Sequence, residues 1–397
     1  MIHRIFILLL LLIIIPDVYI YLRWMRRRCT ALWQRIALWL PCVAMCVYTL
    51  MLASVKSFAP ERMEVLSLYL FLLGLLFIPK FVFFICSICG WGISRLLHRK
   101  GHKRRNYGNL LGLVLALCVV YIIIYGCTKG FSTIVVKHID YTDAAIPEAF
   151  DGYRIVHFSD AHVGTYTGGS TQTLARAMDS IMAVNADLIV FTGDIQNMRP
   201  KEVQPVKSYL ERLKAQDGVL SILGNHDYAQ YVDVDSDEAR RLEREIVDVE
   251  RALGWDLLLN DNRVIRRGGD SIVIAGMEND GRYPFPSRIN MVTTLQDIND
   301  SAFIIMLQHD PTSWRRTILP QSTAQLTLSG HTHAGQFMIF GWSPVALMYD
   351  EWGGMYTDSD SGRSLFVSTG LGGFVPFRFG VPGEIVVITL HNQKDWK

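Results

Sequence analysis

Acidic side chains are scarce in the first 129 residues of this 397-residue chain, and cysteine is missing from the remainder. Residues 1–129 carry only Asp17, Glu61 and Glu64 against 16 lysines and arginines, whereas residues 130–397 carry 34 acidic and 23 basic residues. All seven cysteines lie in the first region, so the second region can form neither a disulfide framework nor a thiolate metal site. The opposite charges indicate that the two regions occupy different surroundings.

Long apolar runs dominate the first region. Four segments approach the length of about 20 residues that spans a bilayer as a helix. They cover residues 5–22, 31–53, 65–93 and 109–127. The first is followed by RWMRRR and lacks a small-residue cleavage site, which favours a retained anchor over a removed signal peptide. Residues 1–129 are therefore predicted to form a transmembrane region of four helices.

The basic residues of this region predict its orientation. The connections 23–28 and 95–105 hold four and six basic residues, while the connection 54–64 holds only Lys56 and Arg62. Because loops rich in Lys and Arg stay in the cytoplasm, the N-terminus and everything after the fourth segment are expected on the other side. The third segment contains Lys80, and two passes there would reverse that side. Its halves are too short to span separately, which favours a single kinked or tilted helix.

Residues 130–397 alternate short, β-branched apolar runs with polar stretches. Eight runs of 5 to 7 residues have the composition expected of strands that are buried on both faces. They read YRIVHFS, DLIVFT, GVLSIL, SIVIAG, SAFIIML, AQLTLS, SLFVS and EIVVITL. Helices are predicted over 170–184, 202–215 and 237–253. This alternation predicts one α/β domain.

Residue types that bind metals follow five of these runs. They are Asp160 and His162, Asp194, Asn225 with His226 and Asp227, His309, and the pair His331 and His333. Any one of them could be a turn former or a polar cap, but the carboxyl ends of strands in α/β folds meet at one crevice. His331 and His333 stand at i and i+2, which on an extended backbone places both rings on one side. Oxygen and imidazole ligands without sulfur favour Mn²⁺, Fe or Zn²⁺.

The ordered motifs resemble those of the calcineurin-like metallophosphoesterase superfamily. They are DxH, GD, GNHD, a lone histidine and GHTH, within a resemblance that covers about residues 150–391. The tail VSTGLGGFVPFRFGVPGEIVVITL is similar to that of a membrane-associated bacterial branch, which includes UDP-2,3-diacylglucosamine pyrophosphatases of the lipid A pathway. The resemblance implies a four-layer αββα sandwich over residues 130–397, with its site at one edge of the sheets.

The same resemblance implies two divalent metal ions and a role for each motif residue. One metal would be held by Asp160, His162, Asp194 and His333, and the other by Asp194, Asn225, His309 and His331. His226 would protonate the leaving oxygen as a general acid, and Asn225 would also donate a hydrogen bond to developing charge. Two metals about 3.5–4 Å apart activate a water and neutralise phosphoryl oxygens. Ala161 and the pair Gln196 and Asn197 depart from the usual pattern beside the ligands.

Further residues are candidates for substrate binding or support. Gly372, in the turn GLGG, could present its backbone amide to an anion, and Arg378 is a candidate phosphate contact. The aromatic stretch 337–356 is expected to be a packed lid or sheet cover, with contact to lipid as the alternative. Asp227 would either orient His226 or cap the following segment. His157 is expected in the core or behind the metal ligands.

The first functional hypothesis is a membrane-anchored, metal-dependent hydrolase of a phosphodiester or pyrophosphate bond. It would lie in a bacterial inner membrane with its catalytic domain extracytoplasmic, and act on a lipid-linked substrate such as UDP-2,3-diacylglucosamine. A nuclease or nucleotide phosphodiesterase is the alternative, and the net charge of −11 over residues 130–397 disfavours nucleic acid. A ligand-sensing domain without catalysis is the third hypothesis, against which stands the full set of implied ligands.

Overall fold

The computed structural model describes residues 1–96, 105–283, 285–299 and 301–393, and the chain divides into two compact units, Met1–Thr128 and Lys129–Lys397. Within these residues, four helices have the length and composition to cross a membrane, as the sequence predicts. They are Ile2–Met25, Leu32–Ala53, Met63–Leu96 and Gly108–Gly130. Most of the basic connection 95–105 lies outside the described residues.

The third apolar helix runs without interruption through Lys80, which confirms the prediction of a single helix there. A π-helical turn at Leu73–Phe77 widens it just before the charged residue. Lys80 Nζ lies 2.7 Å from Asp17 Oδ1 on the first helix, and 4.4 Å from the centre of the Phe77 ring. This pairing offsets much of the roughly 2.5–3.5 kcal/mol that an isolated charge costs within a membrane helix.

The second unit contains two six-stranded sheets. The first has the order β1-β12-β2-β3-β4-β5, and the second β10-β11-β9-β8-β7-β6. The strands are β1 Ile134–Asp143, β2 Arg154–Phe158, β3 Leu188–Phe191, β4 Val219–Ser221, β5 Asp256–Leu257, β6 Asp261–Arg267, β7 Asp270–Gly276, β8 Phe303–Leu307, β9 Leu326–Ser329, β10 Gly354–Thr357, β11 Ser364–Val367 and β12 Gly383–Asn392. All eight apolar runs form strands, and β1, β5, β6 and β10 were not predicted.

The sheets pack face to face, and helices cover their outer faces. Ile155 and Val190 of the first sheet share a buried cluster with Ile274, Ile305 and Leu328 of the second. Outside the first sheet, Val156 and Phe191 pack against Leu174, Met178 and Ile246 of two helices. Outside the second sheet, Val273 and Met306 pack against Trp314 and Ile318. The four layers confirm the predicted αββα sandwich.

Two of the three helices predicted for the second unit are present with nearly the predicted bounds. The α-helical segments are Thr171–Val184, Lys207–Leu210, Ser236–Ala252, Met291–Thr294 and Leu319–Gln321. The first and third confirm two predictions, since apolar residues spaced by three and four face the sheet. The prediction of a helix over residues 202–215 is wrong. Only four of these residues, Lys207–Leu210, are α-helical, and the others form 3₁₀ turns or loops. Pro205 lies in one such turn and lacks the N–H that an α-helix needs.

The aromatic strap, residues 337–356, is not the packed cover that was expected. Phe340 is fully exposed at the tip of a tight turn, and Leu347 and Met348 are 80% and 73% exposed. Trp342, on the same turn, is half exposed. The strap is attached at its base, where the Ser343 hydroxyl donates to the Ala334 carbonyl at 2.7 Å. These four apolar side chains therefore point to solvent, whereas Tyr349 and Trp352 of the same strap are half buried.

Parallel pairing brings the polar strand ends to one edge. β2, β3 and β4 are parallel neighbours in the first sheet, as are β8, β9 and β11 in the second. The loops after these strands continue to pair, because the Asp160 amide donates to Gly193 and the Gly330 amide to His309. All the predicted metal ligands lie on five of these loops.

Candidate metal centre

Four of the predicted ligands form a compact group. Single ligand atoms of Asp160, His162, Asp194 and His333 all lie within 4.8 Å of one another. His162 Nε2 is 3.2 Å from His333 Nε2 and 3.5 Å from Asp194 Oδ2, and His333 Nε2 is 3.4 Å from Asp160 Oδ1. The two carboxylates are fully buried, so their charge is not screened by water. This group can hold one cation.

The other predicted ligands form a second group on the far side of Asp194. His309 Nε2 lies 3.2 Å from Asp194 Oδ2 and 3.0 Å from Asn225 Oδ1. His331 Nδ1 lies 2.7 Å from the same Asn225 oxygen. Asp194 thus contacts both groups, and the arrangement is that of a potential dinuclear metal site.

The tautomers of the histidines indicate that cations belong in these groups. His162 Nδ1 faces the Gln196 carbonyl at 3.2 Å and His309 Nδ1 faces the Thr192 carbonyl at 2.7 Å, so each Nδ1 carries the proton. In the neutral form of these rings, each Nε2 then directs a lone pair at nearby oxygens, which are those of Asp194 and Asn225. Such an assembly of acceptors is repulsive until a positive charge lies between them. The residues therefore fit a pair of divalent metals.

The pKa of His309 shows that the negative charge of the site stabilises a cation there. Burial alone would lower this pKa, but the carboxylates of Asp194 and Asp160 outweigh burial and raise it to about 10. The pKa of Asp194 is held well below its usual range, because neighbouring histidines outweigh the effect of its burial. A proton on His309 is the simplest cation that could occupy this position without metal.

The loops hold their ligands in strained backbone conformations. Left-handed φ angles occur at five of the seven ligands, which are Asp160, His162, Asp194, His331 and His333. Residues other than glycine adopt this region at a cost of about 1–3 kcal/mol, and they concentrate at functional sites. The expectation that His331 and His333 share one side of an extended backbone is wrong, since β9 ends at Ser329. The two rings instead enter different groups.

Glycines before the ligands allow the loops to approach closely. A side chain at Gly224 would collide with the Asp194 carboxylate, and one at Gly330 would collide with Ser159 Oγ and the Asp160 carboxylate. Gly193 has a φ of 92° and packs against the Gly224 backbone. Each of the motifs GD, GNHD and GHTH therefore needs its glycine, because a side chain there would collide with the ligand loops.

His226 lies beside the two groups but outside them. Its backbone amide donates to Asp194 Oδ1 at 2.7 Å, and its ring Nδ1 faces the Asn197 carbonyl at 2.7 Å. The ring is partly exposed, whereas the carboxylates beneath it are buried. Burial lowers the pKa of His226, and the nearby Asp194 carboxylate opposes that effect. This position suits a group that meets the substrate.

Asp227 plays neither of its two expected roles. Its carboxylate accepts hydrogen bonds from the backbone amides of Gly224, Asp194 and Ile195, at 2.7 to 3.0 Å. It therefore holds the loop that carries Asp194, and the His226 ring is oriented by Asn197 instead. Burial and the nearby Asp194 charge raise the pKa of Asp227 to about 7.

Arg378 and Gly372 do not form the expected substrate contacts. The Arg378 side chain is completely buried and donates to the backbone carbonyls of Thr369, Gly370, Gly372, Val381 and Pro382. No donor is directed to the surface, so Arg378 shapes the loop rather than binding a phosphate. The Gly372 amide is likewise engaged, because it donates to the Asp160 carbonyl at 2.9 Å.

Supporting residues emerge that the sequence alone did not identify. Tyr349 OH lies 3.0 Å from His331 Nε2, and the Tyr231 hydroxyl accepts a hydrogen bond from Asn225 Nδ2 at 2.7 Å. His157 is completely buried and its Nε2 lies 2.8 Å from Thr192 Oγ1, which agrees with the expectation of a core or supporting position. Both tyrosines lie in irregular segments, where no sequence periodicity indicates which way a side chain points. The sequence therefore did not identify either tyrosine as a partner of a metal ligand.

Two buried groups of acceptors that share one carboxylate form a potential dinuclear metal site. The family model for the calcineurin-like phosphoesterase matches residues 153–335. A second model, the transmembrane domain of probable calcineurin-like phosphoesterases, matches residues 3–131. The chain belongs to the calcineurin-like phosphoesterase family and is a metal-dependent phosphoester hydrolase with a membrane domain.

Several relatives share this organisation or part of it. The metallophosphoesterase YkuE of Bacillus subtilis is 30% identical over 277 residues, which cover 68% of this chain and 90% of YkuE. A transmembrane protein with metallophosphoesterase domain from Danio rerio is 28% identical over 335 residues. The matched region covers 82% of this chain and 72% of the Danio rerio protein. The UDP-2,3-diacylglucosamine pyrophosphatase LpxG of Chlamydia trachomatis is 26% identical, covering 60% of this chain and 83% of LpxG.

We expect Gly330→Ala to lower the affinity for metal by about 10- to 100-fold, the usual effect of disturbing ligand support. The added methyl group would displace the Asp160 carboxylate or the loop that carries His331. Metal content after dialysis of the full-length protein would be measured by mass spectrometry. Gly169→Ala is the matched control, because no atom lies within 4 Å of its added carbon. Equal metal content in both variants would contradict the proposed crowding.

Proposed function

We propose that this chain hydrolyses a phosphodiester or pyrophosphate bond in a lipid-linked substrate, and that it does so at a pair of divalent metal ions. The observation that carries the proposal is the convergence of both acceptor groups on Asp194. The first metal is assigned to Asp160, His162, Asp194 and His333, and the second to Asp194, Asn225, His309 and His331. Mn²⁺, Fe and Zn²⁺ all suit these oxygen and nitrogen ligands.

The protein side chains contribute binding, orientation and proton transfer. When bound, a metal pair of this kind activates a water and neutralises phosphoryl oxygens. Asp194 fixes the spacing of the two groups and receives the His226 amide. We assign His226 as the general acid: in its imidazolium form, Nδ1 keeps its proton on the Asn197 carbonyl and Nε2 gives its proton to the leaving oxygen. Asn225 supports charge that develops on the phosphoryl group.

The exposed strap supports a lipid-linked substrate. Phe340, Trp342, Leu347 and Met348 offer apolar surface to the solvent, and Tyr349 of the same strap contacts His331. Acyl chains could cover this surface while the polar part of the lipid occupies the metal centre. The relative LpxG is a UDP-2,3-diacylglucosamine pyrophosphatase, which favours a substrate of that chemical class. The acidic charge of residues 130–397 opposes binding of nucleic acid.

We further propose that the protein resides in a bacterial inner membrane with its phosphoesterase domain outside the cytoplasm. An even number of spans would leave both ends of the membrane region on the same side, and the chain has four candidate spans within the described residues. The connection 23–28 is rich in arginine, and the sequence of the connection 95–105 is rich in arginine and lysine. Loops of this kind remain cytoplasmic.

His226→Ala is expected to reduce kcat by about 10²- to 10⁴-fold without loss of metal, since a general acid contributes on this scale. Turnover of an alkyl phosphodiester, whose leaving alkoxide must be protonated, would be followed for the full-length protein with Mn²⁺ and after chelation. His138→Ala, an exposed histidine on the edge strand β1, is the control. Turnover that survives chelation would refute the two-metal proposal, and loss of metal in His226→Ala would mean that a ligand is misassigned.

The substrate proposal predicts a higher kcat/KM for UDP-2,3-diacylglucosamine than for single-stranded DNA or cyclic nucleotides. Removing apolar contact by Phe340→Ser with Trp342→Ala should lower the ratio of lipid to soluble-diester turnover by about tenfold, because burial of one large apolar side chain is worth roughly 1.5–3 kcal/mol. Val292→Ala is the control, since Val292 is 82% exposed and lies outside the strap. A preference for soluble nucleotides that these substitutions do not change would contradict a lipid-linked substrate.

The orientation is tested with a reporter fused to the C-terminus. Alkaline phosphatase is expected to be active in that fusion and a fluorescent reporter that requires the cytoplasm to be dark. A matched fusion within the connection 23–28 should give the opposite pair of signals. A fluorescent C-terminal fusion with inactive alkaline phosphatase would instead mean that the phosphoesterase domain faces the cytoplasm.

A further inference from the structure

Asn225 and His226 are consecutive residues with different proposed tasks, and one side chain contacts both. They lie on the 3₁₀ turn Asn225–Asp227 that follows β4, and the next turn, Ala229–Tyr231, brings Tyr231 back to them. Neither turn belongs to the regular sandwich, so the backbone alone does not fix these side chains. The contacts of Tyr231 supply that constraint.

The hydroxyl of Tyr231 acts on Asn225. Asn225 Nδ2 donates to this hydroxyl at 2.7 Å, while Oδ1 is turned the other way, towards His309 and His331. A carboxamide has one donor end and one acceptor end, and only the oxygen can bind a metal. Anchoring the NH₂ group therefore holds the oxygen at the second acceptor group. Asn225 is buried, so water does not readily replace the hydroxyl as the partner of this NH₂ group.

The ring of Tyr231 acts on His226. The two rings are stacked, with centroids 4.3 Å apart and planes within 6° of parallel. The Asn197 carbonyl holds Nδ1 at the ring edge, and the Phe374 ring lies 5.2 Å away at a tilt. Stacking fixes the plane of the imidazole and the carbonyl fixes its rotation within that plane. The direction of Nε2 is then determined.

We propose that Tyr231 is a positioning residue with two separable effects, in which its hydroxyl orients the metal ligand Asn225 and its ring orients the general acid His226. The inference rests on the proposed function, because both tasks are assigned there. It adds a residue outside the proposed metal ligands that controls metal affinity and proton transfer through Asn225 and His226. Its two parts are chemically distinct, so two substitutions can separate them.

Tyr231→Phe removes the hydroxyl and keeps the ring. Binding of Mn²⁺ to the full-length protein in detergent would be measured from the electron paramagnetic resonance signal of the free ion, which does not depend on activity. We expect the dissociation constant of the weaker site to rise by about 10- to 100-fold, as for loss of other partners behind a metal ligand. At saturating Mn²⁺, kcat should recover to within about threefold of the parent value, since the ring still supports His226.

Tyr231→Leu removes the ring as well. At saturating Mn²⁺, we expect hydrolysis of an alkyl phosphodiester to fall by about tenfold or more, because the alkoxide must be protonated as it leaves. Hydrolysis of bis(p-nitrophenyl) phosphate should fall far less, because p-nitrophenolate leaves without a proton. Loss of general stability would lower both rates equally and would not produce this difference.

Tyr228→Phe is the matched control for both variants. Tyr228 is buried three residues earlier, but its hydroxyl donates to Glu278 at 3.2 Å rather than to Asn225. Thermal unfolding of all three variants identifies any loss of fold. Should Tyr231→Leu fail to fold, Tyr231→His keeps a flat ring without the phenol hydroxyl and is expected to retain the alkyl-diester rate at saturating Mn²⁺.

Unchanged Mn²⁺ affinity in Tyr231→Phe would overturn the role of the hydroxyl. An equal loss on both diesters in Tyr231→Leu, or loss of the alkyl-diester rate in a folded Tyr231→His, would overturn the role of the ring. These results are distinguishable from failure of the proposed function. If the parent protein neither binds Mn²⁺ nor hydrolyses diesters, both inferences are refuted. If the parent does both, a contrary result in the variants refutes the role of Tyr231 alone.

Discussion

The Asp194 carboxylate is the point on which the metal centre depends. Oδ2 approaches His162 in one acceptor group and His309 in the other, while Oδ1 accepts the His226 amide. Its own backbone amide is held by Asp227, and its carbonyl accepts the amide of His162. Asp194, which has a left-handed φ of 63°, therefore contacts both acceptor groups, the proposed general acid His226 and the loop that carries it. Displacing it would alter every one of them together.

Because the carboxylates at the site are buried, binding of metal and stability of the folded domain are coupled. Asp160, Asp194 and Asp227 lie on neighbouring loops at one edge of the sheets and are almost fully buried. A cation that binds only the folded state adds stability of RT ln(1 + [L]/Kd), or about 2.7 kcal/mol at a hundredfold excess over Kd. Metal therefore offsets both the backbone strain at the ligands and the repulsion between carboxylates.

The sequence predicted the elements that carry strong periodic or positional signals. Eight buried strands were recognised from their β-branched runs, and the αββα sandwich from five ordered motifs. Strand β1 was missed because it lies at the edge of its sheet, where a mixed sequence such as IVVKHIDYTD satisfies a half-exposed environment. Residues 202–215 have the composition of a helix, which is why a helix was predicted there. The 3₁₀ turn that contains Pro205 interrupts the segment instead.

Side-chain roles that depend on burial could not be read from residue type. Arg378 reads as a phosphate contact, yet a guanidinium that meets five carbonyls inside a loop leaves no signature in the sequence. Tyr231 and Tyr349 reach the metal ligands across loops whose course no local pattern specifies. Residue chemistry predicted which groups could bind metal, and tertiary contacts decided which groups support them.

The ion pair between Lys80 and Asp17 bears on how the membrane region is made. Asp17 enters the bilayer with the first helix, but its partner Lys80 belongs to the third and is synthesised some sixty residues later. Until that helix arrives, the first helix carries an uncompensated carboxylate and is a weak anchor by itself. Stable integration of the first helix is consequently a property of the completed bundle, because the partner of its buried carboxylate arrives only with the third helix.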